Sequence, residues 1–146
     1  MAADKGDRSW VLAQGLLFLA IILAPGARVQ WQFTGIAMLV VAVAVLVAAA
    51  RTLGRALSPF PTPIVAGTLR TDGVFAFVRH PIYAAALLAA AAFALLTHSV
   101  PRAVLTVGLL AFFSAKAAHE ERLLAQRYPA YDAYARNTKK FIPWIY

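Results

Sequence analysis

Five residues, His98 to Arg102, are all that separate two apolar runs, Ile82 to Thr97 and Ala103 to Ala118. A link that short between helix-length segments admits only an antiparallel helical hairpin. Counting outward from Val100, His80 lies twenty residues before and Glu120 twenty residues after. With an equal rise per residue on both arms, the two return to the same level. The hairpin is therefore expected to bring Arg79, His80 and Tyr83 opposite Lys116, His119, Glu120 and Glu121, whatever the rest of the chain does.

Two further apolar runs, Trp10 to Ala24 and Phe33 to Ala50, precede the hairpin. With 62% hydrophobic and 14% charged residues in 146, and a mean hydropathy of +0.70, the chain reads as an all-α integral membrane protein of about four transmembrane helices. None of the runs goes much beyond eighteen residues. A bilayer core of about 30 Å needs roughly twenty helical residues, so each helix must borrow flanking residues or sit in a thin bilayer. The first run has a rival reading as a secretory signal, because Lys5 and Arg8 precede it and small residues follow. Asp4 and Asp7 in its leading segment, and Pro25 beside the small residues, count against that reading. There is no cysteine, which removes disulfides and thiolate chemistry.

Charge sets the expected orientation. Arg51, Arg55, Arg70 and Arg79 lie between the second and third runs, and Lys116, Arg122, Arg127, Arg136, Lys139 and Lys140 lie in or after the end of the fourth. The other two loops carry only Arg28 and Arg102. Both termini and the long middle loop are thus expected in the cytoplasm, in a bacterial-type inner membrane. The net charge of +8 is explained by topology and by attraction to anionic headgroups of membrane lipids, not by nucleic acid. The sequence leaves the oligomeric state open.

Pro59, Pro61 and Pro63 cannot continue a helix, and they divide a helix pair over residues 1–56 from a unit over 57–146 that holds most of the reactive groups. Thr71-Asp72-Gly73 reads as a turn. The alanine-rich run Ala84 to Ala94 would let a neighbouring helix come close. After the hairpin, a cytoplasmic amphipathic helix is expected from about Ala118 to Asn137, with Tyr128, Tyr131 and Tyr134 on one face.

Singly, the polar residues at the hairpin mouth have ordinary readings. Pro81 suits a first helical position, Arg79 is one more cytoplasmic cation, and Tyr83 is an interfacial aromatic like Trp10, Trp31 or Trp144. Lys116 and Glu120 make an i, i+4 pair. Gathered together in a hydrocarbon-rich chain, they point to chemistry. Two adjacent carboxylates near a helix carboxyl end also call for a positive group to offset them.

The run Thr71-Asp72-Gly73-Val74-Phe75-Ala76-Phe77-Val78-Arg79-His80-Pro81-Ile82-Tyr83, then Glu120-Glu121-Arg122-Leu123-Leu124, Tyr128-Pro129-Ala130-Tyr131-Asp132-Ala133-Tyr134 and Phe141-Ile142-Pro143 resemble the isoprenylcysteine carboxyl methyltransferase and phospholipid methyltransferase superfamily in order and spacing. The likeness covers roughly Leu57 to Pro143 and says little about the first two helices. It implies an integral-membrane enzyme that uses S-adenosyl-L-methionine without a Rossmann domain, and no Gly-x-Gly-x-x-Gly element is present. It further implies that Val78, His80, Pro81, Tyr83, Glu120 and Tyr131 line the cofactor side, and that Arg79, Lys116 and Glu121 lie nearer a lipophilic small-molecule or lipid acceptor. No metal is implied.

Transfer from a sulfonium asks the protein mainly to align donor and acceptor and to exclude water. A carboxylate acceptor need only be oriented by Lys116 or Arg79, whereas an amine would need Glu121 or His119 to take a proton. Gly73-Val74-Phe75 stands where many relatives have Gly-Pro-Tyr or Gly-Ile-Tyr, so a phenolic hydroxyl is missing. The short amino-terminal region leaves little room for a prenyl tunnel, which favours a smaller acceptor, either an isoprenoid acid or a phospholipid amine. The alternative is an NADPH-dependent reductase of the sterol reductase type, whose ending Phe141-Ile142-Pro143-Trp144-Ile145-Tyr146 resembles. A third reading is a non-enzymatic partner whose arginines bind anionic lipids.

Overall fold

The hairpin forms where the sequence puts it, with a tighter link than expected. In the computed structural model, which describes residues 5–29, 32–60 and 68–146, α3 (Pro81–Leu96) ends three residues before α4 (Val100–Arg127) begins. The Ser99 hydroxyl accepts from the Arg102 backbone N–H at 3.2 Å, and Pro101 occupies the first turn, so the second helix starts early. His98 reverses the chain at a φ of +44°.

Before the hairpin come α1 (Lys5–Leu23) and α2 (Phe33–Leu53), and after it α5 (Tyr131–Asn137), with short 3₁₀ turns at Gly54–Ala56 and Gly73–Ala76. No strand occurs among the described residues; a single parallel bridge joins Val78 to Lys139. Helix α3 packs between α2 and α4, and α1 lies along α4. The core is built from Ile21, Ala90, Leu109, Phe113, Ala117 and Phe141. Among the described residues, three helices are long and apolar enough to cross a membrane, Gly6–Leu23, Phe33–Leu53 and Val100–Arg127, and α3 is a shorter apolar helix. Leu12, Leu16, Leu19, Val40 and Val43 point outward, as lipid-facing side chains do.

Close packing of α2 on α3 follows from small residues. Gly35, Ala42 and Ala49 recur every seven positions on α2 and are buried, and α3 contributes Ala85 and Ala92, so the two backbones approach closely. A Cβ on Gly35 would stand 2.6 Å from the Leu96 side chain.

Arg102, a loop cation in the sequence reading, is 8% exposed. Its Nε donates to the Ile21 carbonyl at 3.0 Å and its Nη2 to the Ile22 carbonyl at 3.2 Å, filling orphan acceptors in the last turn of α1. Its guanidinium lies 4.2 Å from the centre of the Phe93 ring. Gly26 lets it in, since a Cβ there would come 2.2 Å from Nη1.

The carboxy-terminal helix differs from expectation. Ala118 to Arg127 continues α4 without a break, because no glycine or proline interrupts good helix formers until Pro129. Only the seven residues of α5 form a separate helix, so the expected Ala118–Asn137 amphipathic segment is split in two. Of the proline-rich lead-in, Leu57 to Phe60 is described; Pro61, Thr62 and Pro63 lie outside the described residues, as does Trp31.

Candidate active site

At the mouth of the hairpin the counting argument is met by contacts. His80 is the residue before α3, and Pro81 opens the helix. Its Nδ1 lies 3.5 Å from Glu120 Oε2, and its Nε2 lies 3.1 Å from Glu121 Oε1. Each ring nitrogen thus faces one carboxylate of the adjacent pair. The Tyr83 hydroxyl donates to Glu120 Oε1. The Tyr83 ring stacks on Phe113 with centroids 4.4 Å apart, which fixes the phenol from below.

Arg79 works as a brace. Its Nε donates to Glu121 Oε1 at 2.9 Å, and its Nη1 donates to the Ala135 carbonyl at 2.9 Å and to the Thr138 carbonyl. Those carbonyls lie at the end of α5, so the planar fork pins α5 to the hairpin. Lys140 adds a second cation 3.7 Å from Glu121 Oε2. Backbone pairing completes the tie: Arg79 N–H donates to the Lys139 carbonyl at 2.8 Å and His80 N–H to the Lys140 carbonyl at 3.1 Å.

A cavity of about 490 Å³ opens beside these groups, walled by Arg79, His80, Pro81, Tyr83, Lys116 and Glu120, with Gln14, Leu53 and the Leu57–Phe60 segment opposite. A smaller cavity of about 150 Å³ adjoins it across Leu53, Phe75 and Arg79, and is lined by Arg70, Tyr128, Tyr131 and Tyr134. The three tyrosines therefore converge although a helix break separates the first from the others. Burial raises the Tyr131 phenol well above its ordinary range, and its hydroxyl is buried with no hydrogen-bond partner. Tyr134, whose hydroxyl donates to the Phe75 carbonyl at 2.6 Å, is pushed up to about 12, chiefly by burial.

The sequence-predicted residues thus separate by position. Arg79, His80, Pro81, Tyr83, Lys116 and Glu120 wall the larger cavity, and Tyr131 lines the smaller one. Glu121 stands behind them, occupied by Arg79, His80 and Lys140. Val78 lines a third, almost wholly apolar groove of about 780 Å³ between α2, α3, α4 and the chain end. Sequence reasoning passed over Gln14, whose amide oxygen accepts from Lys116 Nζ at 2.7 Å. A lone glutamine in the otherwise apolar run Trp10 to Ala24 was the available signal. Among the described residues, no group of three His, Cys, Asp or Glu side chains is gathered as metal ligands.

Comparison with known proteins places this arrangement. Residues 31–131 match the model of a family described as phospholipid methyltransferase. The chain belongs to that family. A phospholipid methyltransferase family member of this kind is also similar to two curated proteins. One is the nickel-cobalt-cadmium resistance protein NccN of Alcaligenes xylosoxydans xylosoxydans, 26% identical over 92% of this chain and 62% of the relative. The other is the cobalt-zinc-cadmium resistance protein CzcN of Cupriavidus metallidurans, 29% identical over 78% of this chain and 54% of the relative. The chain spans less than two thirds of the length of each. The family is one of methyltransferases, and the cavity mouth falls within the matched residues except for Gln14 and the carboxy-terminal segment.

Proposed function

We propose that the chain is an S-adenosyl-L-methionine-dependent methyltransferase that acts on a lipophilic acceptor at the cytoplasmic membrane face. The observation that carries this reading is Glu120, set at the wall of the 490 Å³ cavity between Tyr83 and His80 in a chain of methyltransferase family. The volume falls within the range of small-molecule sites, roughly 300–1,000 Å³. The buried Tyr131 hydroxyl without a partner is the kind of group a ligand satisfies.

The residues fit the cofactor by chemistry. Glu120 would accept from ribose hydroxyls or an amino group, and Arg79 and Tyr131 would hold a carboxylate, while His80, both ring nitrogens turned to Glu120 and Glu121, would keep Glu120 aimed at the cavity. When bound, S-adenosyl-L-methionine supplies an activated methyl group whose C–S bond breaks, leaving the electron pair on sulfur as the acceptor's lone pair forms the new bond. The chain's own contribution is alignment and exclusion of water. Residues 57–146 supply most of the groups, with Gln14 and Leu53 contributed from before them. The metal-resistance role is named for the relatives alone, and the reading rests on family chemistry.

Calorimetric titration of the detergent-solubilised protein with S-adenosylhomocysteine, with NADPH in parallel, tests it. Binding of the former alone is expected. His80→Ala and Glu120→Gln should each weaken it more than about tenfold, the loss of one to two charge-assisted bonds. Unchanged affinity in both variants would overturn the site, and NADPH binding alone would make the chain a reductase.

A further inference from the structure

The hairpin has a second face. Val74 and Val78 line the apolar groove of about 780 Å³, whereas their neighbours Phe75 and Arg79 line the 490 Å³ cavity. Among the described residues the two share no lining residue, so the groove lies behind the wall that carries His80 and Glu120. Along α3 its lining runs from Ala84 to Ala91, about 10 Å of helix. That fits within one leaflet, half of a hydrocarbon core of about 30 Å, and is well short of what a spanning helix from a second copy would occupy. At the deep end the Thr106 hydroxyl is already engaged by the Arg102 carbonyl at 2.8 Å, so these walls ask for hydrocarbon.

The mouth of the groove is different. A parallel bridge pairs Val78 with Lys139, and paired residues share one face of a ladder, so Lys139 stands on the groove side. It is exposed, and among the described residues no carboxylate pairs with it. Trp144 also lines the groove; it is 82% exposed and has a φ of +63°, a left-handed backbone that bulky residues rarely adopt. Its turn is fixed by the Phe141 and Ile142 N–H groups, which donate to the Tyr146 carbonyl at 2.7 and 2.6 Å. An exposed cation and an exposed indole above a hydrocarbon slot match a phospholipid, phosphate outermost and chain within.

We propose that this groove seats one anionic phospholipid from the leaflet at the hairpin mouth, with an acyl chain against α3 between α2 and α4 and the headgroup phosphate at Lys139. The lipid is a structural ligand, not the methyl acceptor, because its seat is separate from the reaction cavity. Phe141, in the groove wall, stands edge-on to the His80 ring with centroids 6.1 Å apart. A chain packed on Phe141 therefore supports the imidazole that faces Glu120 and Glu121. This site does not depend on the methyltransferase reading.

The test is native mass spectrometry of the detergent-solubilised protein equilibrated with equal amounts of dioleoyl phosphatidylglycerol and dioleoyl phosphatidylcholine. Phosphatidylglycerol carries neither an amine nor a carboxylate, so its retention is distinct from binding of either acceptor class. The wild type should carry one lipid and favour phosphatidylglycerol by about fivefold, the effect of one cation beside an anionic headgroup. Lys139→Gln should remove that preference while keeping a lipid bound. Ala91→Phe puts a ring into the groove and should remove both lipids. Thermal unfolding of each variant confirms that it is folded, and if Ala91→Phe does not fold, Lys139→Gln decides. A wild type that retains no lipid, or retains both equally, would overturn the proposal, as would a dimer in place of the lipid-bound monomer. A preference that survives Lys139→Gln, or lipid retention unchanged in a folded Ala91→Phe, would overturn it too.

Discussion

Replacing Arg79 by lysine should release the end of the chain. The exchange keeps a cation for Glu121 but removes the fork that reaches the Ala135 and Thr138 carbonyls. A hydrogen bond involving a charged group contributes about 1.5–3 kcal/mol. The Arg79 side chain is 13% exposed and the carbonyls lie at the end of a short helix, so the lower figure applies to each, giving a loss of about 3 kcal/mol. That raises the population of the undocked segment by about a hundredfold. Arg136, Lys139 and Lys140 lie in or beside that segment and are tryptic sites. Under native conditions cleavage follows the opened population when reclosing is fast. The initial rate of tryptic cleavage there should therefore rise by about two orders of magnitude, while cleavage at Arg51 stays near its wild-type rate. A rise of only a few-fold would refute the assignment of Arg79 as the brace and leave the backbone pairing of residues 78–80 with 139–140 as the tie.

Tyr131→Phe removes a buried hydroxyl that has no partner, and such a group costs about 1–3 kcal/mol; the ligand-free variant should melt higher than the wild type in detergent, with weaker binding of S-adenosylhomocysteine. Tyr134 keeps its proton in the folded state up to about 12, against about 10 when unfolded. Its contribution to stability is therefore complete below the unfolded value and is lost as pH rises from there through the folded value. Denaturant midpoints measured across that window should fall in the wild type and fall less in Tyr134→Phe. Gly35→Ala places a Cβ 2.6 Å from Leu96 and should destabilise by about 1–3 kcal/mol, with Leu96→Ala in the same chain recovering part of the loss in melting temperature.

The hairpin was legible because it depends on two quantities a sequence states outright, the length of a link and the rise of a helix. Equal arms from Val100 are enough to bring His80 to Glu120. The groups that were not legible depend on something a sequence does not state. Gln14 meets Lys116 only through the packing of α1 on α4, a pairing that residues of nearly uniform hydrophobicity leave unspecified. Arg102 looked like a loop charge because the apolar run begins after it, although Ser99 starts the helix three residues earlier. The pairing of Val78 to His80 with Lys139 and Lys140 uses backbone groups alone and leaves no side-chain signature. The carry-through of α4 to Arg127 was readable from its helix-forming residues, but the polarity of His119 to Arg122 suggested an end where there is none.

The three-residue turn at Thr97–Ser99 has a consequence for which lengths of this chain are tolerated. Helices α3 and α4 run from that turn to the chemistry without interruption, so the turn acts as the shared origin from which both arms are measured. One residue inserted within either arm, anywhere between that turn and the mouth, would rotate the faces on its two sides by about 100° relative to each other, carrying Glu120 off the face that meets His80 and Tyr83. An added residue should therefore be tolerated better in the turn itself than at any position along the two arms.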